Sequence, residues 1–303
     1  MKRLTGFEDI VSLLSFVIIV YNGDIEKLST ERVSFMTWLE EWVFYFQYIY
    51  SHVHVRWEDY EQQWKMRRKS LRQILRSKLN LVIKTRSRWP IYASLLEDET
   101  LRKQHWNEMI PENKRLRMIM HDMTNVPLTQ PSEAEVNRSL WNTYYHHCCA
   151  KGGVFTQLCG WEGTLELFVG GVGDSEYIRK SGILLVQDDF AKKDTSQGKT
   201  VVPFINVFDK GYRVLLDCYK EGEQLCWQPA FARSDERYGT YATLHTAAVA
   251  YTRSGNERSV KHMKHSWLLK RGTFGMPRFD LELLSDIWLA WGFQVNFIYK
   301  PVH

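Results

Sequence analysis

The stretch Val201-Val202-Pro203-Phe204-Ile205-Asn206-Val207-Phe208-Asp209 decides how this chain is read. It is a short apolar run, rich in β-branched and aromatic residues, that follows a polar loop expected over residues 187–200. Such a run reads as a fully buried strand. Asp209 then stands at its end, where buried backbone gives way to solvent. A second run, Arg115-Leu116-Arg117-Met118-Ile119-Met120-His121-Asp122, also ends on a carboxylate. A third acid, Glu257, closes Arg253-Ser254-Gly255-Asn256-Glu257, inside a stretch with helical character.

The elements around these runs follow in order. Residues 115–122 form a first strand, and residues 152–161 and 164–170 a hairpin joined by Glu162-Gly163. Residues 174–184 read as helix, 201–208 as the buried strand and 210–221 as a short helix. A further strand is expected over 225–231 and a long helix over 241–269. The order is compatible with an α/β, RNase H-like mixed β-sheet flanked by helices, in which the first and fourth strands lie side by side and make Asp122 and Asp209 neighbours. Residues 1–112 read as a preceding α-helical N-terminal region, and residues 113–303 as the sheet-bearing domain. Its last part, with Trp288, Trp291, Phe293 and Phe297, supplies packing elements.

Two carboxylates at about 4 Å repel by roughly 4 kcal/mol at an effective dielectric near 20. Three converging acids are tolerated when they are protonated, dispersed or bridged by cations. Oxygen-only ligands favour Mg2+ or Mn2+. Two such ions activate a water or a 3'-hydroxyl and stabilise the leaving oxygen of an in-line displacement. The candidate catalytic and metal-ligating residues are therefore Asp122, Asp209 and Glu257. Arg253, Glu257 and Lys264 share one helical face. With Arg258 and Lys261 beside them, these cations are candidates to hold DNA; a solvated, salt-bridged face is the alternative. Gly255 in mid-helix costs about 1 kcal/mol against Ala, and close approach of a backbone or of DNA would explain it.

Composition narrows the class. Eight prolines, no low-complexity tract and 44% hydrophobic residues fit a globular chain with a sizeable core. A net charge of +5 suits a polyanion without demanding one. Five cysteines at irregular spacing argue against a disulfide framework and for a reducing compartment. The apolar run 11–21 is too short to span a bilayer, so no membrane partner is expected. Glu8 and Asp9 stand where a signal peptide would carry positive charge; a buried helix or an imprecise chain start is the reading. Twelve tryptophans, mostly flanked by apolar residues, are read as core rather than as base-stacking platforms.

The N-terminal half carries one further candidate. Residues 65–88 hold ten Lys or Arg and no acid, while Leu71, Ile74, Leu75, Leu79 and Val82 recur at helical spacing. The basic residues are expected on the opposite face, Arg68, Arg72 and Arg76 among them. That face is either a phosphate-contacting surface or simply solvated.

These residues resemble a known family. Asp122-Met123-Thr124-Asn125 is similar to the Asp-Gly-Thr opening of DDE transposases. Val207-Phe208-Asp209-Lys210-Gly211-Tyr212 resembles their Ala-Asp-Lys-Gly-Phe/Tyr motif. Gly173-Asp174-Ser175 with Ser181-Gly182-Ile183-Leu184 resembles a segment of the PIF/Harbinger superfamily, and Arg253-x3-Glu257-x6-Lys264 most of its Tyr-x2-Arg-x3-Glu-x6-Lys signature. The 47 residues between Asp209 and Glu257 fit that type. Ala250, Val207-Phe208 and Met123 depart from the pattern, but none removes a carboxylate. The resemblance covers residues 115–270 and implies a nuclear, Mg2+- or Mn2+-dependent cut-and-paste transposase with an RNase H-like core. Asp122, Asp209 and Glu257 would be its triad. It also implies DNA as partner, cleavage at terminal inverted repeats with transfer of 3'-hydroxyl ends, and a separate Myb-like accessory protein; a homo-oligomer is compatible with it.

Two other functions stay open beside it. One is a domesticated, catalytically silent module that binds DNA or protein, favoured by the lack of an assignable helix-turn-helix in residues 1–112. The other is a generic structure-dependent nuclease. Asp174 is an alternative second acid, set aside because an N-cap role needs no metal. Tyr144-Tyr145-His146-His147-Cys148-Cys149 lacks the gap of a zinc-chelating turn and reads as packing. Gly170-Gly171-Val172-Gly173 lacks the Lys-Ser/Thr of a phosphate loop. No nucleophile elbow is present.

Overall fold

The computed structural model describes residues 5–21, 23, 24, 27, 36–50, 57–88, 117–157, 160–196, 198, 204–212, 224–230, 239–271 and 281–299. Four helices come first: α1 (Ile10–Val20), α2 (Trp38–Tyr50), α3 (Trp57–Trp64) and α4 (Arg68–Arg88). Next come β1 (Arg117–Pro127), α5 (Ala134–Leu140), β2 (Trp141–Asn142), β3 (His147–Gln157), β4 (Glu162–Thr164) and β5 (Phe168–Val169). They are followed by α6 (Asp174–Ser181), α7 (Ile183–Ser196), β6 (Phe204–Val207) and β7 (Leu225–Trp227). The last are α8 (Thr240–Met263), α9 (Trp267–Arg271) and α10 (Leu281–Ile298). The fold is mixed α/β. No described helix is long and apolar enough to cross a membrane.

Two compact units divide the chain. One is made of residues 1–90, 126–129 and 262–300, the other of residues 91–125, 130–261 and 301–303. The C-terminal helix α10 thus belongs to the same unit as α1–α4.

The first unit is a helical bundle centred on α4, which packs against α1, α2, α3 and α10. Its expected apolar stripe, Leu71, Ile74, Leu75, Leu79 and Val82, is buried. A capping box starts α2: the Glu40 N–H donates to Thr37 Oγ1 (3.3 Å), and the Thr37 N–H donates to Glu40 Oε2 (2.7 Å). Asp9 caps α1, its Oδ1 accepting the Ser12 N–H at 2.7 Å. Trp42, Trp288 and Trp291 are fully buried, in keeping with tryptophan as core. One expectation fails. Not every cation of α4 lies on its outer face: Lys78 is 1% exposed, 2.8 Å from Glu41 Oε2 and 5.4 Å from the centre of the Trp42 ring. Glu41 of α2, itself buried, is the partner that makes this possible.

The second unit is built on a mixed sheet of order β2-β3-β1-β6-β7, with β4 and β5 also pairing β3. Strands β1, β6 and β7 run parallel, and β3 is antiparallel to β2, β4 and β5. Side chains alternate across it. Ile119, Phe204 and Phe208 pack with Phe155, Ile178, Ile183 and Leu184 on the face covered by α6 and α7. Met120 and Val207 pack with Val249 of α8 on the other. Helices therefore cover both faces.

Several boundaries differ from the sequence reading. Residues 187–196 are not a polar loop but most of α7; Gly182 in the left-handed region (φ 69°) ends α6, and the polar residues form the wet side of a second helix. An Asp188–Lys192 ion pair one turn apart supports it. The first strand does not stop at Asp122 but continues to Pro127. The third strand starts at His147, so Cys148 and Cys149 are buried strand residues, their thiols donating to Asn137 and Asn125. The expected strand 164–170 is two short ones, β4 and β5. The long helix ends at Met263, and α9 is separate. Most of the helix expected over 210–221 lies outside the described residues.

Candidate active site

Parallel pairing between β1 and β6 closes at Met120↔Val207. Asp122, still on β1, and Asp209, just past the end of β6, each lie two residues beyond that pair, so the parallel register brings both to the same end of the sheet. Both alternate onto the α8 side with Met120 and Val207.

The turn after β6 fixes Asp209. The Lys210 N–H donates to Asp209 Oδ1 (2.7 Å), and the Tyr212 N–H donates to the Asp209 carbonyl (3.1 Å). Gln228, just after β7, clamps the turn: its Nε2 donates to the carbonyls of Asp209 (3.0 Å) and Tyr212 (2.7 Å). From α8, Arg253 Nη1 reaches Asp209 Oδ1 at 3.1 Å. Asp122 Oδ1 accepts the Met123 N–H at 2.8 Å. Burial pushes the Asp122 carboxyl above the usual aspartate range. The Met123 N–H and Arg253 oppose that rise, and the charges of Asp209 and Asp174 add to it.

Behind the two aspartates lies a buried polar chain on the α7 side. His121 Nε2 is 2.8 Å from Asn206 Oδ1, and its ring stacks on Phe208 at 4.7 Å. Asn206 exchanges hydrogen bonds with Gln187 (2.8 and 2.9 Å) and donates to Gln224 (3.2 Å), which donates to the Leu184 carbonyl (2.7 Å). Each link satisfies a polar group that would otherwise be orphaned in the core. The chain fixes β1 against β6, and with them the spacing of the aspartates that follow.

Glu257 comes from α8. Asn256 is buried and accepts from Thr156 Oγ1 of β3 (2.6 Å), with Ser259 Oγ 2.7 Å from the same hydroxyl. These contacts set the rotation of α8. Glu257 lies one turn beyond Arg253 on the same face of α8 and is exposed. Arg258 and Lys261 are exposed on α8, and Lys264 is half-buried just past its end. Among the described residues, no group of three His, Cys, Asp or Glu side chains stands close enough to hold a metal ion. The donor set of Asp122 and Asp209 suits a hard cation.

In the helical unit, Arg72 and Arg76 are exposed, and Arg68 is half-buried and bonded to Glu58. With Lys69, Gln73 and Ser77 they line a shallow pocket of about 650 Å3. The Arg72 guanidinium also sits 5.3 Å over the Trp57 ring.

Lys151 was not singled out by sequence, and Asp174 was weighed as a second acid and set aside as a cap. Asp174 is not an N-cap; Gly173 holds that position, and Asp174 Oδ1 accepts from Lys151 Nζ at 2.7 Å. The signal that could have found the pair is a lone lysine in a buried strand, which demands a carboxylate partner.

No family model, curated protein or solved structure matches this chain. The functional reading therefore rests on the residues themselves.

Proposed function

We propose that the chain is a metal-dependent DNA endonuclease and strand-transferase of the DDE type, related to PIF/Harbinger transposases and built on an RNase H-like sheet. The observation that carries the reading is that Asp122 and Asp209 each follow by two residues the last pair of the adjoining parallel strands β1 and β6, with Arg253 of the covering helix bonded to Asp209. The strand order β2-β3-β1-β6-β7, with β4 and β5 also on β3 and with β1, β6 and β7 parallel, supports the RNase H-like assignment.

Asp122 and Asp209 would hold Mg2+ or Mn2+, which when bound would supply Lewis-acid activation of a water or a 3'-hydroxyl. The half-buried Arg253 would orient a phosphodiester by charge-assisted hydrogen bonds once released from Asp209. Arg258, Lys261 and Lys264 would carry flanking phosphates, and Arg68, Arg72 and Arg76 would add sequence-independent DNA affinity. Terminal inverted repeats as substrate, nuclear location and a Myb-like partner belong to this reading through the family resemblance. The test is nicking of supercoiled plasmid in Mg2+ or Mn2+ by the purified protein beside Asp209→Asn. Metal-dependent nicking lost in the variant supports the assignment; equal nicking by both removes it.

A second reading, a catalytically silent transposase-derived module, is favoured by the exposed Glu257 and by the ion pair that occupies Asp209. Folded protein that binds DNA and cuts none under either metal would establish it.

A further inference from the structure

The outer face of α8 carries exposed rings at one end and uncommitted cations at the other. We propose that this ridge binds a strand of DNA with unpaired bases, which stack on Tyr241 and Tyr251 while Arg258 and Lys261 take its phosphates. The inference deepens the nuclease reading by naming the form of its DNA, and rests on that reading only for the choice of DNA as ligand.

Helical spacing sets the ridge. Leu244, Tyr251 and Arg258 recur every seven residues and so stand in one row, with Tyr241 and Lys261 flanking its ends. Tyr241 and Tyr251 are each 84% exposed, and Leu244 is 65% exposed. The opposite side of the helix is the one that packs on the sheet, through Val249 and Asn256. From Tyr241 to Lys261 the row runs about 30 Å.

Tyr241 is held although it is exposed. Its ring lies 6.3 Å from that of His245 at 19°, close to parallel. His245 is itself fixed: its Nδ1 accepts from Trp227 Nε1 at 3.3 Å, and its Nε2 donates to the Gln228 carbonyl at 2.7 Å. One face of Tyr241 is thus taken by His245, and the other is open for a base to continue the stack. Gln228 is also the clamp on the turn of Asp209, which ties the platform to the candidate active site.

Charge selects the occupant. Between Thr240 and Met263, α8 carries Arg253, Arg258 and Lys261 against one acid, Glu257. Arg258 and Lys261 are exposed, and neither is held in an ion pair among the described residues. A polyanion supplies the missing counter-charge at one end of the row, and bases supply flat apolar faces at the other. A duplex hides those faces in its own stack, so the rings select an unpaired strand. A second copy of the chain is the poorer fit. Two tyrosines bury about 150–250 Å2 each, short of the ~800 Å2 per partner of a stable interface.

The experiment is fluorescence anisotropy of the full chain with a labelled oligothymidine of about twelve nucleotides, within the range of single-strand sites, in EDTA so that nothing is cut. A duplex of the same length is the comparison, and a fluorescent adenine analogue placed within the strand reports stacking by its quenching. Tyr241→Ala and Tyr251→Ala are each expected to weaken single-strand binding about tenfold and to relieve the quenching, while duplex binding changes less than about twofold. Tyr241→Phe and Tyr251→Phe keep a ring and retain both signals. Arg258→Gln with Lys261→Gln lowers the magnitude of the salt slope by about 1.4, at about 0.7 per phosphate of a single strand. These four side chains are exposed, so the variants are expected to fold, and circular dichroism melts check it. Wild type that does not bind the oligothymidine, or tyrosine variants that lose strand and duplex equally, overturns the proposal. So does a dimer in sedimentation velocity that Tyr251→Ala dissociates, since the ridge then pairs two chains. Plasmid nicking reports on the nuclease reading separately: strand binding without nicking keeps the ridge and removes the nuclease, and nicking without strand binding does the reverse.

Discussion

Arg253 Nη1 lies 3.1 Å from Asp209 Oδ1, so the cation of α8 is already bonded to the residue expected to bind metal. The same guanidinium lowers the pKa of Asp122, which burial raises. Arg253→Gln is therefore expected to push the Asp122 midpoint further up, read by carbon-detected NMR of the aspartate carboxyls. A carboxyl whose folded pKa is raised favours the fold on the acid side, and that contribution is lost as pH rises through the folded value. The variant extends this behaviour to higher pH. A midpoint that stays put or falls would show that Arg253 does not act on Asp122.

His121, one residue earlier, responds to pH with the opposite sign. Burial drops its pKa from 6.5 to about 4, with the Asn206 hydrogen bond opposing the fall. The unfolded chain then binds the proton more readily than the folded one. His121 contributes stability above the unfolded pKa near 6.5, and this is lost as pH falls through about 4. The loss amounts to about 3 kcal/mol. Urea midpoints measured from pH 7 to pH 4 should fall accordingly. In His121→Phe, which keeps a ring against Phe208, most of that slope should vanish; an unchanged slope would assign the acid sensitivity elsewhere.

What was legible in the sequence follows from the range of the forces involved. The runs ending at Asp122 and Asp209 announced buried strands because apolar density is local, and their adjacency followed from element order. The rotation of α8 was not legible. It depends on the Thr156 hydroxyl of β3 donating to Asn256 and Ser259, some hundred residues away in sequence, and spacing along one helix cannot report which residue a distant strand selects. Asp174 was set aside as a cap because a helix start accounts for an aspartate locally; its partner Lys151 lies 23 residues earlier. The polar residues of α7 resembled a loop because their helical support is an ion pair on the wet side and a buried amide, Gln187, whose partners come from elsewhere. Lys78 was placed on the outer face with the other basic residues for the same kind of reason, since its partner Glu41 is on another helix.

That Lys78–Glu41 pair makes its own prediction. Both side chains are essentially inaccessible, at 1% and 0% exposed. Lys78→Met removes the cation and leaves a buried carboxylate facing a thioether, which should destabilise the helical unit by about 3–5 kcal/mol. Adding Glu41→Leu should recover most of the loss, because a pair of buried charges replaced by apolar groups is often neutral or stabilising. Guanidinium denaturation of the single and double variants checks both steps. A single variant within about 0.5 kcal/mol of wild type, the range of ordinary surface changes, would mean that water reaches Glu41.

The exposed part of α4 separates a DNA-contacting face from a merely solvated one. Arg72 and Arg76 point outward one helical turn apart, in a stretch without acidic residues. If each neutralises a phosphate of duplex DNA, their binding releases counterions, and log K falls with log salt by about 0.9 per contact. Arg72→Gln with Arg76→Gln should therefore reduce the magnitude of that slope by about 2, with affinity lost evenly across sequences. Fluorescence anisotropy with labelled duplexes of unrelated sequence, titrated at several salt concentrations, measures both quantities. A double variant that binds with the wild-type slope would place the DNA contacts on other residues and leave this face of α4 to solvent.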